Sequence, residues 1–234
     1  MVKVLKTIIV SILASSAVFA AGADADLNAS VEAGYTSNYI INGTSRTKDR
    51  AFAGFNIGAK YEIADVYLGG VVIPASETLD ESHWVAGVGK GFSLSSNVTL
   101  RAEAQVWRHQ SSIPNGVDST EGVVKFALQN KILTPYVKGL YDFNLDQYGY
   151  IVGVERKTDV LGWFNVTPSV EWGQFTDYDV LSAKVTASKV IFNHLEPFVE
   201  AGWYDNRFQV KNYNFATREF NGDFVVAGGL RWNF

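Results

Sequence analysis

The chain has 234 residues, 20 Lys and Arg against 24 Asp and Glu, a formal charge of −4, no cysteine and a mean hydropathy of +0.01. The lack of a basic tract argues against nucleic acid as a partner, and the lack of cysteine removes disulfide frameworks and thiolate metal sites. Beyond the first 20 residues no run of roughly 18 apolar residues occurs, which excludes a membrane helix from the body of the chain.

The first element reads as a leader. Lys3 and Lys6 begin it, an apolar stretch over 8–18 follows, and Val18-Phe19-Ala20 before Ala21 is a small-residue cleavage site. Residues 1–20 are therefore expected to be a secretory signal peptide and residues 21–234 a single β-domain. Ser11, Ser15 and Ser16 weaken the alternative of a membrane anchor.

From there the apolar residues recur at two, the period of an extended strand with one apolar face. Leu27, Ala29, Val31, Ala33 and Tyr35 alternate with Asn28, Ser30, Glu32, Gly34 and Thr36. Equally clear alternation runs over 51–62, 98–107, 164–173 and 181–188. Weaker candidates occupy 65–73, 82–92, 119–129, 132–143, 147–156, 196–205 and 222–234. The sum is twelve strands, each long enough to cross a bilayer when tilted.

The connections sort by side. One set, near 62–65, 93–97, 130–132, 157–162 and 191–195, is short. The other, 42–50, 74–81, 108–118, 144–146, 175–178 and 206–221, holds the long polar loops. Short periplasmic turns opposite longer external loops are the pattern of an outer-membrane barrel. Aromatic residues of the apolar face sort by height as well. Tyr35, Trp84, Tyr141, Tyr148, Trp172, Trp203 and Phe224 fall toward one rim, and Tyr61, Phe164, Trp232 and Phe234 toward the other. The expected fold is all-β, a transmembrane antiparallel up-and-down barrel facing outer-membrane lipid.

Such a barrel turns its other face to a lumen. That face carries Glu32, Lys60, Glu62, Arg101, Glu103, Glu121, Lys125, Lys138, Asp142, Glu155, Glu171, Lys184, Glu200 and Arg231, eight acidic against six basic. These are the expected pore-lining residues. The expected pore is narrow, with a weak preference for cations that fades as salt rises. Lumen glycines, among them Gly34, Gly54, Gly58, Gly153, Gly173 and Gly202, are expected to leave open space.

Catalysis finds little support. His83, His109 and His194 lie near loops with no metal-ligand spacing. His109 shares a loop with Ser111 and Ser112 but lacks the separate strands that a serine triad needs. Gly87 to Gly91 sits in an alternating strand with no helix after it, so it is no phosphate loop. No enzyme, metal or cofactor is expected.

Leu230, Trp232 and Phe234 give the chain an ending that resembles the C-terminal signature by which barrel-assembly machinery recognises outer-membrane proteins. A second resemblance lies in Tyr35-Thr-Ser-Asn-Tyr-Ile-Ile-Asn-Gly-Thr-Ser45 followed by Ala51-Phe-Ala-Gly-Phe, which looks like the opening of the TorF family of porins, with Asn38, Ile41 and Asn42 departing from its pattern. Strand count also resembles the twelve-stranded acidic-oligosaccharide channels. Passive diffusion of small hydrophilic solutes or ions is the function these readings imply. The alternatives are a closed structural or adhesive barrel acting through its external loops, and an acidic-oligosaccharide channel.

Overall fold

The computed structural model describes residues 26–41, 44–61, 63–74, 80–111, 118–176, 178–208 and 223–234. The expected leader, Glu62 and the connections at 75–79, 112–117 and 209–222 lie outside these residues.

The strands are β1 Asp26–Ile41, β2 Thr44–Lys60, β3 Asp65–Pro74, β4 Asp80–Ser95, β5 Val98–Ser111, β6 Ser119–Asn130 and β7 Thr134–Asp142. They continue as β8 Gln147–Glu155, β9 Thr158–Val160, β10 Phe164–Phe175, β11 Tyr178–Ser188, β12 Leu195–Phe208 and β13 Asp223–Asn233. Each pairs antiparallel with its neighbours, and β13 pairs with β1, so the sheet closes.

β8 and β9 form one stave. Both keep a single register against β10, Glu155 opposite Ser169 and Thr158 opposite Val166. The break falls where β10 carries Pro168: Arg156 donates its N–H to the Pro168 carbonyl at 3.1 Å. Pro168 has no N–H to return, so the ladder loses a bond there. Twelve staves make the barrel.

The register fixes its dimensions. A line drawn perpendicular to the strands returns to β1 about 16 residues further along. With a rise of ~3.3 Å and a spacing of ~4.8 Å, that stagger gives a tilt of about 40–45° and a wall radius of about 12 Å.

Burial decides which face points out. Val106, Val124, Val170, Val185 and Val199 are 45–54 % exposed, while Thr36, His83, Ser119 and Ser182 are 3–4 % exposed. The polar face is the more enclosed one, though Ile57, Ala59 and Asp205 of the outward face are also covered. This inverts a water-soluble sandwich, where the apolar face would be buried. Charges on the outward face include Lys90 and Arg156 toward the short-turn end. Arg108 sits near the opposite rim, paired to Asp118 at 2.8 Å. The same register puts the two aromatic sets at opposite rims, roughly 20 Å apart, against the ~25 Å apolar band of outer-membrane barrels. Phe55 and Phe126 sit between them on the outward face.

Three expectations at the connections need correction. Residues 44–50, expected as part of a loop, extend β2, with Thr44 opposite Ile41. Their polarity resembles that of a loop, yet the backbone pairs as strand, with Lys48 opposite Asn38. The stave expected to end at 156 reaches Val160, and its turn is at Leu161 and Gly162, both with positive φ (56° and 72°). Asp159 Oδ1 accepts the Gly162 N–H at 2.9 Å and holds that turn. His83 and His109, expected near loops, lie in β4 and β5 directly opposite each other.

Candidate functional site: the barrel lumen

Side chains alternate across the wall, so one inward residue on each stave fixes the rest. The pairings carry this parity consistently around the ring: Glu32 faces Gly54 and Arg231, Glu103 faces Lys125, Lys125 faces Lys138, and Glu171 faces Ser182. Glu32, Lys60, Arg101, Glu103, Glu121, Lys125, Lys138, Asp142, Glu155, Glu171, Lys184, Glu200 and Arg231 therefore share the lumen face. Glu62 lies outside the described residues.

With the ~42° tilt included, most of these charges fall in one belt near mid-height. The belt runs from β5 through β13 to β1, and its members pair. Lys138 Nζ meets Glu171 Oε1 at 3.0 Å, and Lys184 Nζ meets Glu200 Oε2 at 3.3 Å. Arg231 reaches Glu32 at 2.9 Å and Glu196 at 3.4 Å. Arg101 reaches both Asp65 and Glu103 at 2.6 Å. Lys125 Nζ sits 4.8 Å from the Tyr136 ring centroid, a cation–π contact. Asp65 and Glu196, which the strand reading did not single out, complete two of these networks. The signal was available, since both fall on lumen parity once the hairpin registers are set.

The glycines do not leave the open space expected of them. Gly34, Gly54, Gly58, Gly153 and Gly173 each serve as a seat for a side chain from a neighbouring stave, and Gly202 seats Tyr204 of its own. A Cβ on Gly153 would lie 2.5 Å from Tyr136 Cζ, and one on Gly87 would lie 2.5 Å from Tyr67 Cζ. Tyr136 crosses Gly153 to donate its hydroxyl to Glu171 two staves away. Arg101 crosses Gly89, where a Cβ would meet its guanidinium at 3.0 Å, to reach Asp65. Phe52 covers Gly34, and its ring comes within 6.4 Å of Phe198. Large inward side chains thus lie flat along the wall instead of projecting into the bore.

Toward the long-connection end the lumen layer is enclosed on many staves. Thr36, His83, His109, Ser119, Ser182 and Val225 are all at most 5 % exposed. His83 and His109 bring their Nδ1 atoms to 2.6 Å, so one carries the proton that the other accepts. His109 Nε2 lies 3.5 Å from Glu121 Oε1, and Trp107 stacks on its ring. Ser119 donates to Asp142 at 2.6 Å, and not to a histidine. Among the described residues no group of three His, Cys, Asp or Glu is arranged to hold a metal ion.

The opposite end is open. A cavity of about 420 Å³ there is lined by Asn28, Ser30, Glu32, Asn56, Arg231 and Asn233, with Ala29, Phe55 and Phe234 completing its wall. Leu230, Trp232 and Phe234 turn outward beside it, 45–68 % exposed, and the Phe234 N–H donates to the Ala29 carbonyl at 2.9 Å.

No family model matches the chain, and no characterised protein matches it in sequence. Solved structures do match it in fold. The KdgM porin is 11 % identical with a TM-score of 0.56, the match covering 88 % of this chain and 99 % of that one. A KdgM structure in complex with disordered oligogalacturonate is 10 % identical with a TM-score of 0.55, covering 88 % and 99 %. The NanC porin is 10 % identical with a TM-score of 0.54, covering 87 % of this chain and 98 % of that one. At this identity the likeness is one of architecture: the chain folds as a closed antiparallel barrel of twelve staves, like these porins.

Proposed function

We propose that the protein is a channel of the bacterial outer membrane through which small hydrophilic solutes or ions diffuse passively. One observation carries this reading: the barrel turns its apolar face outward and its charged groups inward, around a wall of about 12 Å radius whose large side chains lie flat. A barrel in water would gain nothing from that inversion. The enclosed layer around His83 and His109 is the constriction of the path, and the belt below it sets the field. Because most belt charges are paired, the field is weak, and the acidic excess of the lumen face, to which Asp65 and Glu196 add, tips it toward cations.

The leader at 1–20, assembly through Leu230, Trp232 and Phe234, and kinship with the TorF family belong to the same proposal. The sequence features already described support them. An acidic-oligosaccharide channel is the second reading, favoured by the fold likeness to a porin solved with oligogalacturonate. Single-channel recording of refolded protein in planar bilayers tests the proposal. Stable ohmic steps are expected. A silent membrane would instead support the closed structural or adhesive barrel.

A further inference from the structure

We propose that the open cavity at the short-turn end is a binding cup for a neutral, polyhydroxylated solute of sugar type, a specificity resting on the channel reading above. The cup's chemistry makes the case. Asn28 and Asn56 each offer an amide, donor and acceptor together, Asn233 adds an amide that already gives one N–H to Glu196 Oε2 at 3.4 Å, and Ser30 adds a hydroxyl. A sugar hydroxyl is also donor and acceptor at one atom, so amides match it in either sense. A volume of about 420 Å³ falls within the size of small-molecule sites.

The charges in the cup are already engaged. Arg231 gives Nε and one terminal nitrogen to Glu32 Oε2 at 3.0 and 2.9 Å, and its other terminal nitrogen to Glu196 Oε2 at 3.4 Å. Its guanidinium also lies 5.4 Å from the Phe198 ring centroid. Two carboxylates thus surround Arg231, the one cation among the described residues lining the cavity. An incoming carboxylate would have to displace one of them and face the other, so acidic sugars are disfavoured. Nucleobases are not favoured either, because Phe55 and Phe234 direct their rings outward and offer no stacking platform inside.

Position supports the same reading. The cup lies on the open side of the charge belt, while the far layer is enclosed. Asn28 leans over Gly58, where a Cβ would lie 2.7 Å from its Oδ1, so the glycine makes room for the amide. Asn28 and Asn56 are themselves exposed to the cavity.

The test is calorimetric titration of refolded barrel with sucrose and raffinose, and with galacturonate as the acidic counterpart. Saturable binding of the neutral sugars is expected, with galacturonate much weaker. The double variant Asn28→Ala, Asn56→Ala should weaken neutral-sugar binding about tenfold or more, because two hydrogen-bonding groups are lost. Asn165→Ala, on the lumen face of β10 away from the cup, should leave binding unchanged, and gel mobility of the folded barrel checks each variant. No saturable neutral-sugar binding, equal or stronger binding of galacturonate, or an unaffected double variant overturns the cup. Ion conductance of the same preparations separates the two readings. A conducting barrel that binds no sugar sinks the cup alone. A silent bilayer with sugar binding lost on Asn28→Ala, Asn56→Ala sinks the channel and leaves the cup standing.

Discussion

At the scale of single residues, the lumen is organised by glycines paired with large neighbours. Tyr136 lies across Gly153 and reaches Glu171, and a side chain at position 153 would take the space its ring occupies. Gly153→Val should therefore lift Tyr136 off the wall, at a cost of about 1–3 kcal/mol from overpacking. Its conductance should fall, because the displaced ring enters the bore. Adding Tyr136→Ala should restore both stability and conductance in part, as read by denaturant unfolding in lipid vesicles and by bilayer recording. A double variant no better than Gly153→Val alone would show that the glycine is needed for its backbone and not as a seat. The period-two pattern placed Gly153 on the lumen face, but which ring would cover it depends on register between staves.

At the scale of elements, the assignment of faces makes a paired prediction. Arg at Val185, Val166 or Ala104, on the outward face near mid-height, should cost roughly 2–4 kcal/mol in membrane stability. Arg at Thr167 or Ser188, on the inward face of β10 and β11, should be tolerated. Equal damage at both sets would overturn the lipid-facing assignment. The interrupted stave gives a second prediction. Pro168→Val restores an N–H opposite Arg156, whose own N–H already bonds the residue-168 carbonyl. The new bond should stabilise the β8–β10 ladder by about 0.5–1.5 kcal/mol. Hydrogen exchange at residues 156–158 should slow, and unchanged exchange would mean that water already satisfies the Arg156 carbonyl.

At the scale of the whole molecule, selectivity and assembly are the properties at issue. The belt pairs Lys138 with Glu171, Lys184 with Glu200, Arg231 with Glu32 and Arg101 with Glu103, which leaves a small acidic excess. Reversal potentials in a salt gradient should show weak cation preference that shrinks at high salt, where the Debye length falls from about 8 Å toward ~3 Å. A clear anion preference would contradict this charge distribution and advance the acidic-oligosaccharide reading. Deleting Phe234 removes both the terminal aromatic and a hydrogen bond to Ala29 at the β13–β1 seam. Folded barrel in outer-membrane fractions should decrease sharply, and undiminished yield would argue against an assembly role for this residue.

The sequence by itself determined the strands, their count and their two faces, because side-chain alternation is a local property and an apolar stripe at period two is visible without any partner. It also placed the aromatic sets at two heights, since height follows from position along a strand. What it left open were the relations between staves. Thr44 to Arg50 read as a loop because their polarity says nothing about whether Ile41 and Tyr39 will pair with them. The contact of His83 with His109 and the reach of Arg101 across Gly89 to Asp65 need the register of β3, β4 and β5 together. Only closure of β13 on β1, with its stagger of about 16 residues, set the tilt and radius and decided which face is inside. Curvature encloses one face and exposes the other, and a single strand carries no curvature.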